Sequence, residues 1–213
     1  MSFNEGREAH RLGVVEATLE NVEAAAEIVR GGGLIVYPTD TVYGLGCDPF
    51  NVDAVERLVK VKGARDRPLP ILASSLNHVV RVADLSQQAR RVAERFWPGP
   101  LTLVLPKKLL PDFTTFGFST VGVRIPNHPT ALKLIELSGG LLVGTSANRS
   151  GTAPPLTANA AYEQLNDEVD AILDGGVSEL GKSSTVVDLT SEELKVLRKG
   201  SERIKGILEF LQE

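Results

Sequence analysis

The stretch Gly33-Leu-Ile-Val-Tyr-Pro-Thr-Asp-Thr-Val-Tyr-Gly-Leu-Gly46 constrains this chain more than any other. Leu34 to Tyr37 form a short apolar run of mostly β-branched or aromatic residues behind three glycines, which predicts a strand covered on both faces. Pro38 removes a ladder donor and ends that strand. Thr39, Asp40 and Thr41 then sit just past a strand's carboxyl end, where open α/β sheets bind ligands. Gly44 and Gly46 are expected to let the backbone turn closely around whatever is bound. Taken alone, Thr, Asp and Gly in succession read first as a capped turn; the rest of the chain decides what the loop is for.

Helical and strand signals alternate along the sequence. Asn21 is a candidate cap for a helix through Val22, Ala25, Ile28 and Val29, stopped by Gly31 to Gly33. Asp53 is a candidate cap for a second helix with Val55, Leu58 and Val59 facing inward. That helix runs into Lys60-Val-Lys-Gly-Ala-Arg-Asp-Arg-Pro68, where Lys60, Lys62, Arg65 and Arg67 make either a solvated helix end or a cationic clamp for phosphates. Leu69 to Ala73 and Leu101 to Leu105 read as strands, separated by a helix capped by Ser86. Trp97 lies between apolar elements and reads as a core anchor.

Two further segments repeat the pattern of a strand feeding polar residues. In Thr120-Val-Gly-Val-Arg-Ile-Pro126 the strand period puts Thr120, Gly122 and Arg124 on one face, so Arg124 can hold a carboxylate or phosphate or make a surface ion pair. A helix from His128 to Ser138 leads to the strand at Leu141 to Gly144. It empties into Thr145-Ser-Ala-Asn-Arg-Ser-Gly151, a run of hydroxyl, amide and backbone donors suited to an anion. Thr157 caps a further helix, Asp170 to Asp174 read as a strand, and Lys195 to Arg198 as the last one before a helix capped by Ser201. Gly176 to Ser183 spells the glycine, lysine and serine spacing of a phosphate-binding loop, but a β-branched strand rather than a helix follows Gly181-Lys-Ser-Ser, so it is not read as a Walker motif.

At 213 residues without a linker, repeat or low-complexity block, the chain is expected to form one domain over 1–213, with residues 1–12 as a loose arm. A net charge of −4 gives no global attraction to nucleic acid or anionic lipid, so any RNA contact would be local and weak. Cys47 is the only cysteine, which excludes an intramolecular disulfide and fits a reducing cytoplasm; beside a buried strand it reads as a packed apolar residue. No run is long enough to span a bilayer, and His10, His78 and His128 lack metal-ligand spacing.

With these motifs in place, the chain resembles the YrdC/Sua5 family, the threonylcarbamoyl-AMP synthases of tRNA modification. The match runs in order through Tyr37 to Gly46, Trp97 to Thr102, Thr120 to Pro126, Thr145 to Gly151, and Ser184 to Asp188 with Leu197-Arg198. The resemblance implies a YrdC-like α/β fold: a twisted sheet of mixed parallel and antiparallel strands, flanked by helices, with a concave basic cleft. It implies formation of L-threonylcarbamoyladenylate and pyrophosphate from L-threonine, bicarbonate and ATP, with Mg²⁺ carried on the ATP phosphates. A downstream threonylcarbamoyl transferase machinery would then use the adenylate to make N6-threonylcarbamoyladenosine in tRNA. Thr41, Arg124, Ser146 and Ser184 are implied to hold threonine; Lys62, Arg65, Arg67, Thr120, Asn148 and Arg198 are implied to meet ATP. Lys62, Arg65, Ser146 and Asn148 form the implied catalytic set. The family's Lys-x-Arg stretch is one residue shorter here, with Ala64 in the arginine's strict place and Leu72 where some members carry a histidine. A YrdC-like nucleotide- or RNA-binding protein without synthase activity is the alternative.

Overall fold

A computed structural model describes residues 12–63, 67–165, 168–191, 193–201 and 204–211. The expected arm at 1–12 therefore lies, but for Leu12, outside the described residues.

Strand β1 (Gly13–Glu16) opens the fold and was not foreseen, being mostly exposed and too short for a clear alternation. Helix α1 (Leu19–Arg30) is capped by Thr18, whose hydroxyl accepts from Asn21 N–H, rather than by Asn21 itself. Helix α2 (Val52–Lys62) is likewise capped earlier than expected, by Asn51 accepting from Ala54 N–H at 3.0 Å. Both caps precede the first inward apolar residue, because the first turn leaves N–H groups that need a side-chain acceptor whichever way its side chains face.

β2 (Ile35–Tyr37) is buried on both faces as predicted: Val36 belongs to one apolar cluster, and Ile35 and Tyr37 to the other. β3 (Gly44–Gly46) pairs antiparallel with β2 and corrects the expected turn around a ligand. These glycines allow close sheet packing, and Gly44 also lines the cavity described below. A Cβ on Gly44 would lie 2.8 Å from the Tyr37 ring, and one on Gly46 would lie 2.5 Å from the Val143 carbonyl oxygen.

The chain continues through β4 (Ile71–Ala73), α3 (Leu76–Val82), α4 (Gln87–Phe96), β5 (Leu101–Pro106), α5 (Asp112–Thr115) and β6 (Thr120–Arg124). α6 (Pro129–Leu137), β7 (Leu141–Val143), β8 (Thr145–Ser146), α7 (Ala158–Leu165), β9 (Ala171–Asp174), β10 (Thr185–Asp188), β11 (Lys195–Arg198) and α8 (Ile204–Leu211) complete it. The strands form two mixed sheets rather than one, in the orders β1-β9-β2-β3-β8 and β11-β10-β5-β6-β4-β7. The chain steps between them at Gly144, between β7 and β8.

α1 and α6 cover Ile35, Tyr37, Ala171 and Leu173, while α2, α4 and α7 contribute to the larger core around Leu45, Leu103 and Val123. Val55 and Leu58 of α2 are buried there. Burying each contributes about 1.5–3 kcal/mol, and this fixes the rotation of α2 so that Lys62 on its last turn points inward. Trp97 is a core anchor as expected, its indole N–H donating to Leu101 O at 2.6 Å. Cys47 is fully buried. Among the described residues no helix is long and apolar enough to cross a membrane.

Candidate active site

A cavity of about 430 Å³ opens where the two sheets meet, and strands of both supply its wall. Three polar clusters organise it.

The first lies past β2. Thr39 Oγ1 donates to Val42 O at 2.7 Å and accepts from Thr41 N–H at 3.1 Å, so Thr39 staples the turn that Pro38 begins. This sets Thr41 and Asp40 against Arg124 of β6. The buried guanidinium donates from Nε to Gly99 O at 2.8 Å, from Nη1 to Thr41 Oγ1 at 2.9 Å, and from Nη2 to Asp40 Oδ1. Burial lowers the Arg124 pKa from its ordinary value, and the neighbouring Asp40 carboxylate opposes this. Thr120, Gly122 and Arg124 all face the cavity, as the strand period predicts.

The second cluster is the loop after β8. Lys62 Nζ is buried and donates to Ser146 O at 2.7 Å, to Asn148 O, and to Asn148 Oδ1 at 3.1 Å. Asn148 Oδ1 also accepts from Ser146 Oγ, and Asn148 Nδ2 donates to Arg149 O at 3.0 Å and Thr152 O at 2.7 Å. The ammonium and the amide thus tie the loop together from behind. Ser146 lines the cavity; Lys62 and Asn148 are not in its wall.

The third cluster joins β5, β10 and β11. Ser184 Oγ bonds Thr102 Oγ1 at 2.8 Å, and Arg198 donates from Nε and Nη2 to Ser184 O at 3.0 and 2.9 Å. Burial lowers the Arg198 pKa, and the nearby Arg67 guanidinium lowers it further. Two like charges facing one cavity favour an anion between them. Asp188 is the one carboxylate among the described lining residues, and its Oδ1 accepts from Thr190 N–H and Oγ1–H.

Of the residues singled out from the sequence, Thr41, Arg67, Thr120, Arg124, Ser146, Ser184 and Arg198 line this one cavity. Lys62 and Asn148 stand behind it, and Arg65 lies outside the described residues. Sequence reasoning put Asp40 in the ligand-facing loop without giving it a role, and it missed Thr102 and Tyr43. Tyr43 O–H donates to Gly176 O at 2.7 Å and its oxygen accepts from Gly175 N–H at 3.2 Å, holding the turn after β9. Asp40 sits beside recognised residues, but its partner is 84 positions away, which no local pattern discloses.

A family model described as "Telomere recombination", covering the Sua5, YciO and YrdC proteins, matches residues 27–200. The chain belongs to this family. It is 41% identical over 195 residues to a threonylcarbamoyl-AMP synthase of Pyrococcus abyssi, covering 90% of this chain and 57% of that relative. It is 38% identical over 168 residues to a threonylcarbamoyl-AMP synthase of Halorhodospira halophila, covering 78% of this chain and 87% of the relative. The structure of P. abyssi Sua5 complexed with L-threonine superposes with a TM-score of 0.88 at 39% identity, over 93% of this chain and 59% of that one. The chain therefore spans little more than half the length of the P. abyssi protein.

Proposed function

We propose that this member of the YrdC/Sua5 family is a threonylcarbamoyl-AMP synthase, an adenylyl-transferring enzyme that acts as one domain in the cytoplasm. The observation that carries the reading is the pairing, in one cavity, of the Arg124 anchor with the Arg67 and Arg198 pair. Two anionic groups can then be held side by side by fixed guanidinium groups.

In this reading Arg124 takes the threonine carboxylate, flanked by the hydroxyls of Thr41, Ser146 and Ser184. Arg67, Arg198 and Thr120 face ATP. Bicarbonate and the threonine amine condense to a carbamate with loss of water. A carbamate oxygen then attacks the α-phosphorus of ATP, the bond to the bridging oxygen breaks, and pyrophosphate leaves with the electron pair. The chain's contribution is positioning and charge neutralisation, since a weak anionic nucleophile must approach an anionic phosphate. Lys62 and Asn148 would act by shaping the Ser146 loop, and Arg65 would add a fork for the phosphates. The donor set is rich in guanidinium and poor in carboxylate, which suits Mg²⁺ carried on phosphate oxygens rather than caged by the chain. A threonylcarbamoyl transferase would consume the adenylate, with tRNA contact left to that machinery or to a weak local patch.

The test is pyrophosphate release with each substrate omitted in turn. Release should require L-threonine and bicarbonate together. ATP turnover independent of both would contradict the reading.

A further inference from the structure

We propose that Asp40 is a positioning residue that fixes the substrate-facing orientation of Arg124; this rests on the synthase reading above for what Arg124 holds. Asp40 is 5% exposed and lies outside the cavity wall, which places it behind Arg124 rather than beside a bound molecule. Its Oδ1 accepts from Arg124 Nη2, and its Oδ2 finds no donor among the described residues. A carboxylate spread over several donors would be a general strut. This one is directed at a single guanidinium.

The geometry around Arg124 gives that restraint a purpose. Three acceptors from different places, Gly99 O, Thr41 Oγ1 and Asp40 Oδ1, engage Nε, Nη1 and Nη2 and so fix the guanidinium plane. One N–H then remains on each Nη to donate to a bound anion. Gly99 O holds Nε–H and Thr41 Oγ1 holds Nη1. Among the described residues only Asp40 restrains Nη2, and it is the one of the three that carries charge against the buried cation. The Asp40 carbonyl oxygen accepts from Leu180 N–H at 3.0 Å, so the backbone that aims the carboxylate is itself clamped by the segment running to Ser184. Loss of the charge would leave Arg124 buried without compensation and free to turn toward other acceptors.

Asp40→Asn keeps the shape and one acceptor while removing the charge. L-threonine affinity should fall about ten- to a hundredfold, the loss of one charge-assisted hydrogen bond, while the KM for ATP stays within about twofold. Asp170→Asn is the control for a merely structural ion pair: Asp170 bonds Arg57 and Leu34 N–H away from the cavity. It should lower Tm and leave threonine affinity unchanged. If Asp40→Asn lowers Tm but binds threonine like wild type, the proposal is overturned. If Asp40→Asn does not fold, Asp40→Ser, which leaves room for a water, is read against the same outcomes. Side-chain ¹⁵N spectra of Arg124 separate this from failure of the synthase reading, because they need no substrate. Slow Nη rotation in wild type and faster rotation in the variant supports the restraint even in a protein that binds no threonine. Equal rotation in both refutes it.

Discussion

Replacing Lys62 by Met separates two accounts of the cation behind the Ser146 to Asn148 loop. The structure has the ammonium buried behind that loop, with three hydrogen bonds to Ser146 and Asn148. Methionine keeps the stem's volume and removes every donor. Asn148 Oδ1 still accepts from Ser146 Oγ, but the backbone carbonyls of Ser146 and Asn148 each lose this donor. A buried carbonyl left unsatisfied costs about 1–3 kcal/mol, so with two of them Lys62→Met should destabilise the fold by about 2–6 kcal/mol. For a chain of this length each kcal/mol lowers Tm by roughly 2–4 °C, giving a drop on the order of 10 °C. Pyrophosphate release should fall as well, because Ser146 is no longer held at the wall, and the loss should appear mainly in kcat. The assay is differential scanning calorimetry beside steady-state kinetics on the same preparation. A variant with wild-type Tm and a selectively raised KM for ATP would refute the account, since it would mean that Lys62 acts on the triphosphate rather than on the loop.

Ser146→Ala should lower kcat/KM about tenfold at nearly unchanged Tm, because Ser146 lines the cavity. Asn148→Ala should lower both, because its amide satisfies four loop contacts; equal Tm for the two variants would count against that division. Burial pushes the Cys47 thiol up from its ordinary pKa of 9.0. Below pH 9.0 folded and unfolded chains both keep the proton; above it only the unfolded chain releases it, so stability falls as pH rises. Cys47→Ala should flatten that slope in Tm measured against pH, and native Cys47 should resist alkylation until the protein unfolds.

The sequence made the motifs legible because each is a strand end followed by hydroxyl, amide or guanidinium groups. Strand periodicity was enough to put Thr120 and Arg124 on one face, and burial of both faces of β2 followed from its uninterrupted apolar run. What stayed hidden depends on partners distant in the chain. Gly44 and Gly46 look like turn residues until Tyr37 and Val143 are seen against them. Lys62 and Lys60 look alike as members of a basic helix end, yet α2 ends with Lys62 buried and Lys60 exposed. The division into two sheets was illegible for a similar reason: the step at Gly144 separates two short strands that read as one strand and its outlet.

The central claim is that one cavity joins a threonine-derived carbamate to the α-phosphate of ATP. Incubation with [¹³C]bicarbonate, L-threonine, ATP and Mg²⁺, followed by rapid mass spectrometry, tests it most directly. The account predicts a threonylcarbamoyl adenylate carrying the isotope, formed in step with pyrophosphate and lost in Arg124→Ala. Pyrophosphate or ADP without a labelled adenylate in the wild-type protein would contradict it.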